Sequence, residues 1–115
     1  MTEWVDVAAL AQLRGRKRLR VTVGAEDVAL FLVGERIYAF RDICVHKERS
    51  LSKGTVLHGR VICPGHQWAF DLETGQAEDR EECQPTYPVR VEGERVYVGA
   101  RPRLPQFGAQ KGGTP

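Results

Sequence analysis

The sequence predicts an all-β protein, an antiparallel β-sandwich or small barrel with one short N-terminal helix. Three observations carry that expectation. Short runs rich in β-branched and aromatic residues recur along the chain, tight Gly-containing connections join them, and runs such as "RLRVTV" alternate apolar with polar residues. Many short strands joined in this way close into sandwiches or barrels.

The elements follow in order. Asp6 reads as the N-cap of a short helix over "VAALAQL". In "RLRVTV", Leu19, Val21 and Val23 alternate with Arg18, Arg20 and Thr22, a half-buried strand. "DVALFLV" and "RIYAF" form a hairpin through Gly34-Glu35. His58-Gly59 joins "GTVL" to "RVIC", Thr74-Gly75 ends "AFDLE", and Gly93-Glu94 joins "YPVRVE" to "RVYVG". From Arg101 to Pro115 the chain has three prolines, three glycines and no periodicity, the composition of a flexible tail. The expected organisation is one domain over 1–100 and a tail over 101–115.

A chain of 115 residues supports one modest core and is too short for a catalytic domain beside a redox domain. The Met1 region lacks a basic-then-apolar signal pattern, and no run approaches the roughly eighteen apolar residues of a membrane span. The expectation is therefore a cytoplasmic protein that binds no membrane. A net charge of +2 does not argue for nucleic acid. "RGRKRLR", Arg14 to Arg20, reads first as a solvated turn and strand face, and second as a docking patch for an acidic partner.

The chemistry concentrates between Cys44 and Phe70. Of three cysteines and three histidines, Cys44-x-His46 and Cys63-x-x-His66 make two mixed pairs sixteen residues apart. They fall where strands end, so two loops could each bring one sulfur and one nitrogen to a single point. In a reducing cytoplasm paired cysteines indicate metal more than disulfide, and Cys83 is left over. A single zinc usually takes like ligands close in sequence. A two-iron cluster gives mixed pairs a reason: if both cysteines ligate one iron and both histidines the other, each loop supplies one ligand to each iron. The remaining alternatives are a zinc-stapled interaction domain using the same four residues, and four structural residues with no metal. His58 reads as an exposed turn residue, Trp68 as core, and Gln67 has no assigned role.

These pairs resemble the Rieske motif, and "SLSKG", Pro64-Gly65, "WAFDLETG" and "TYPVRVEGERVYV" resemble soluble Rieske domains, a likeness that extends to about Gly99. The resemblance implies a Rieske-like β-sandwich with a cluster-binding subdomain of two loops, about 42–70. It implies one 2Fe-2S cluster, with Cys44 and Cys63 on the inner iron and His46 and His66 on the outer. Arg49 and Gly65 stand where the respiratory branch has two bridged cysteines. Trp68 and Phe70 stand where that branch has hydroxyls near sulfur, so fewer hydrogen bonds stabilise the reduced state and the potential is expected near the low end for this class.

A one-electron cluster with no flavin or nicotinamide motif implies a carrier that is not catalytic alone. Its partners would be a flavin-dependent reductase and a terminal oxygenase, or the large subunit of an NADH-dependent nitrite reductase. His46-Lys47, and Cys83 shortly before "TYPVRV", lean toward the small Rieske subunit of the nitrite reductase over the Rieske ferredoxin of an oxygenase.

Overall fold

A computed structural model of the chain describes residues 3–43, 49–64, 68–79 and 82–102. Among these, ten strands form three antiparallel sheets, accompanied by one α-helix. The antiparallel all-β expectation holds, with the layers arranged as follows.

The central layer is a four-stranded sheet in the order β2-β3-β4-β8, made of Arg18–Val23, Glu26–Val33, Arg36–Arg41 and Thr86–Tyr87. β3 is apolar on both faces because both are covered. Val28 and Leu30 point into one apolar cluster, Ala29 and Phe31 into the other. On the first face lies the sheet β1-β10-β9, Trp4–Ala9, Arg95–Gly99 and Val89–Glu92, which contributes Val96, Val98, Val5, Val7 and Val89. On the second lies β5-β6-β7, Thr55–Leu57, Arg60–Ile62 and Ala69–Asp71, which contributes Val61 and Phe70. Phe31, Phe40 and Phe70 are fully buried there, and burial of each side chain contributes roughly 2 to 3 kcal/mol.

Two sequence expectations are corrected. The chain begins with a strand where a helix capped by Asp6 was expected, and α1 runs later, over Leu10–Arg16. Val5 and Val7 alternate with Asp6 at period two, and β10 pairs with them across a bulge between Asp6 and Ala8. Asp6 faces outward, where its carboxylate accepts Arg95 Nη2 at 2.7 Å and Nε at 3.0 Å. Helix α1 has no side-chain cap; the Leu10 N–H donates to the Glu94 carbonyl at 2.8 Å instead. It stops at Lys17, in the left-handed region at φ 72°, whose N–H returns to the Leu13 carbonyl. The second correction concerns "YPVRVE", which is two strands. Pro88 divides it: β8 completes the central sheet against β4, and β9 joins β10 in the outer one.

The hairpin turns at Gly34-Glu35, His58-Gly59 and Gly93-Glu94 are where the dipeptides placed them, whereas the strand expected over "AFDLE" stops at Asp71, and Leu72 to Thr74 already form the turn closed by the Gly75 N–H on the Asp71 carbonyl. His58 and Gly59 both take positive φ, 51° and 76°, as a two-residue turn matched to strand twist requires. His58 is exposed, as expected. The expected tail lies outside the described residues from 103 onward; Arg101 and Pro102 are exposed.

Candidate metal centre

The two segments that carry the expected ligands leave one apolar body. The first departs after β4 at Ile43 and returns at Ser50, where the two residues make an antiparallel bridge. It continues into a single 3-10 turn, Leu51–Lys53, whose Leu51 is fully buried. The second begins at Cys63, just after β6, and returns at Trp68, whose carbonyl accepts the Cys63 N–H at 2.8 Å. Leu51 and Cys63 belong to one cluster with Phe31, Phe40, Val61 and Phe70, and Trp68 packs against it. The roots of both loops are thus fixed against the same side chains.

Of the four expected ligands, Cys63 is placed by the structure and is fully buried. Cys44, His46 and His66 lie outside the described residues, as does Gln67. Among the described residues no group of three His, Cys, Asp or Glu side chains could hold a metal ion. Trp68 is half-buried against the core, its ring 6.3 Å from that of Phe70, as the core reading expected.

Polar residues that sequence reading left aside hold the first loop. Asp42 is completely buried, two residues before Cys44. Its carboxylate accepts the Ser50 hydroxyl at 2.5 Å and the Ser52 N–H at 2.8 Å, with Arg20 Nη1 3.8 Å away. Its backbone carbonyl takes the Leu51 N–H at 2.7 Å. Gln84, also buried, donates through Nε2 to the carbonyls of Arg41 and Ile43, each at 2.7 Å. Arg18, expected on a polar solvated face, is half-buried. Its guanidinium donates to the carbonyls of Ser52 and Gly54 and lies 5.7 Å over the Phe31 ring. The only advance signals for these roles were a lone Asp before the first Cys and "SLS" after it.

On the flank behind the loops, Glu73 accepts both the Tyr38 hydroxyl and Arg36 Nη1 at 2.8 Å. Burial raises the Tyr38 phenol, and Glu73 raises it further. Tyr87 is likewise raised by burial, against a lowering from Arg41. Both phenols stay neutral at ordinary pH.

The residues present fit a Rieske cluster. Two loops close at their roots on one apolar body, a buried sulfur sits at the root of the second, and the loops offer two thiols and two imidazoles. Fold and donor set together define an iron-sulfur protein with a two-loop cofactor site. The Rieske [2Fe-2S] domain model matches residues 3–101, and the chain belongs to that family, whose cofactor is a 2Fe-2S cluster. The ferredoxin component of the naphthalene 1,2-dioxygenase system of Pseudomonas aeruginosa is 42% identical over 106 residues, 85% of this chain and 97% of that protein. The ferredoxin component of the alkene monooxygenase system of Xanthobacter autotrophicus is 36% identical, covering 92% of this chain and 88% of that protein. Among solved structures, the complex of reduced oxygenase and oxidised ferredoxin of carbazole 1,9a-dioxygenase contains a chain that superposes with a TM-score of 0.78. The identity is 33%, over 88% of this chain and 96% of that one. A nitrite reductase NADPH small subunit superposes at 0.73 with 27% identity, over 84% of this chain and 97% of that one. Among the described residues no helix is long and apolar enough to cross a membrane.

Gln84 gives a direct test of how the first loop is held. Gln84→Leu removes both donors and leaves the Arg41 and Ile43 carbonyls without them, at a cost of about 2 kcal/mol. The expected result is a thermal midpoint lower by roughly 10 °C and a reduced iron-to-protein ratio after purification. Unchanged iron content and midpoint would show that the side chain does not secure the loop.

Proposed function

We propose that this protein is the ferredoxin of an oxygenase system, taking single electrons from a flavin-dependent reductase and delivering them to a terminal oxygenase in the cytoplasm. Its 2Fe-2S cluster would be held by the sulfurs of Cys44 and Cys63 on one iron and by the ring nitrogens of His46 and His66 on the other. The observation that carries the ligand assignment is the fully buried Cys63 at the root of one loop, in the same apolar cluster as Leu51 at the root of the other. The identities of 42% and 36% to oxygenase ferredoxin components favour this partner over a nitrite reductase.

When bound, the cluster supplies a reversible one-electron couple. The chain supplies the rest. The buried Cys63 keeps its sulfur from water, whereas Pro64, at the start of the second loop, is exposed. Asp42, Gln84 and Arg18 fix the first loop so that little rearrangement accompanies a change of charge. Phe70 and Trp68 present no hydroxyl, which leaves sulfur charge in the reduced state with fewer donors.

The experiment is electron paramagnetic resonance of the purified protein after dithionite reduction, with a potentiometric titration. A rhombic Rieske signal lost in His46→Cys and His66→Ala, with a midpoint near about −150 mV, is the expected result. A silent sample with one bound zinc would retire the electron-transfer reading in favour of a zinc-stapled interaction domain. A potential above zero would refute the argument from Trp68 and Phe70 alone.

A further inference from the structure

Charge on this chain is segregated. Val7 to Ala25 carries five of the 17 Lys and Arg residues and none of the 15 carboxylates, so the remainder of a chain with net charge +2 is net negative. The five cations lie on α1, at its end, and on β2, an edge strand of the central sheet. Arg18 turns inward to brace the first ligand loop. Arg20 keeps its side chain 54% exposed while standing 3.8 Å from Asp42, and Arg49 and Lys53 are exposed on the return of that loop. Among them Ile43, next to Cys44, is 41% exposed, one of three exposed large hydrophobic residues among those described.

A second edge has the opposite sign. Exposed Glu78, Asp79 and Glu82 lie beside β7, the edge strand of the β5-β6-β7 sheet, where the Glu78 N–H donates to the Ala69 carbonyl and its carboxylate stands 3.8 Å from Arg60. The cations of β2 and these carboxylates belong to edges of two different sheets. With a Debye length of about 8 Å at physiological salt, charges on separate edges act on an approaching molecule largely one edge at a time.

The geometry points to the β2 edge, with Arg20, Arg49, Lys53 and the apolar Ile43, as the docking surface for an acidic protein face. This assignment rests on the proposal that the cluster lies in the adjoining loops. A nucleic acid or anionic membrane, uniformly negative over a wide area, would meet the acidic edge as well. A protein can match a cationic edge with carboxylates and leave the acidic edge alone. An apolar residue amid separated cations suits a small interface that forms fast and releases fast. Cations on one side of the loops would also turn them toward a negative partner during encounter.

The test uses defined surfaces in place of a partner. Voltammetry of the cluster-loaded protein is recorded on gold bearing carboxylate-terminated or ammonium-terminated monolayers of equal length, with adsorption weighed on a quartz microbalance. The expected electron-transfer rate is about tenfold or more faster on carboxylate at low salt, the advantage fading near 0.5 M salt. Arg49→Glu with Lys53→Glu, two residues outside the bracing bonds, should remove most of that advantage, while Glu82→Lys should retain it. Equal rates on both films, faster transfer on ammonium, or an undiminished advantage in the double variant would overturn the assignment. Binding of a duplex oligonucleotide that the double variant loses would also overturn it, assigning the face to phosphate polyanions. A wild-type protein with neither current nor paramagnetic signal would sink the cluster reading instead. The microbalance would still report whether this face prefers carboxylates.

Discussion

Gly54→Ala is expected to abolish stable loading of the cluster and to lower the thermal midpoint by roughly 15 °C, a loss of about 3 kcal/mol. The backbone at Gly54 has an ordinary φ of −82°, so conformational freedom is not the reason. Space is. A Cβ there would overlap the Ile62 carbonyl oxygen and come within 3.2 Å of the Leu51 carbonyl oxygen. Both obstacles are backbone, and Ile62 is paired with Thr55 and Ala69, so neither can swing aside as a side chain would. Gly54 also donates its N–H to Leu51 and accepts from Arg18, and any shift that relieved the overlap would disturb the end of the first loop. Relief toward Ile62 would move the residue before Cys63. Gly15→Ala is the matched control. Nothing lies within 4 Å of a Cβ on Gly15, which sits in α1, and alanine there should stabilise by up to about 1 kcal/mol. The thermal midpoints of the two variants should therefore move in opposite directions, and only Gly54→Ala should lose iron. Gly54→Ala with normal iron and midpoint would show that the β5-β6 hairpin yields at no cost.

Periodicity made most of the strands legible because each has one dominant burial pattern. β2 alternates, β3 is apolar from Val28 to Val33, and the two-residue Gly turns mark their ends. The N-terminal strand was hidden by competition between two periods. "WVDVAALAQL" is compatible with a helix from Val7, and only the distant β10 decides that Trp4–Ala9 extend. The split at Pro88 was hidden for a related reason. "YPVRVE" reads as one strand until two different sheets claim its halves.

The site divides in the same way. Mixed Cys and His pairs announce a cofactor because few other structures need them at that spacing. The residues that hold the loops make long-range contacts between ordinary polar types, and no local pattern distinguishes them from surface. Gln84 reaches back more than forty positions to Arg41 and Ile43, and Arg18 reaches forward to Ser52 and Gly54. Arg18 shows the limit most clearly: alternation placed it correctly off the outer core, but the face it occupies is itself covered by the loop subdomain.

Asp42→Ala should be the most damaging side-chain truncation in the first loop that leaves the proposed ligands intact. The carboxylate is fully buried and is the acceptor for the Ser50 hydroxyl and the Ser52 N–H. Alanine leaves that N–H without its acceptor, while the Ser50 hydroxyl keeps only its contact with Ser52 Oγ at 2.8 Å. It also opens a hole beside Leu51, and the combined cost is about 3 kcal/mol. Asp42→Asn separates shape from charge. The amide oxygen can still accept the Ser52 N–H, and the Ser50 hydroxyl can turn to accept from the amide nitrogen, so the expected loss is near 1 kcal/mol. Arg20 adds little to this difference, because its guanidinium is 3.8 Å away and half exposed. The measurement is thermal unfolding with iron content and the rate of iron release to a chelator. The expected order is wild type slowest, Asn intermediate and Ala fastest. If Asn released iron as fast as Ala, the negative charge itself would be what the loop requires; if Ala matched wild type, the buried carboxylate would be incidental to the site.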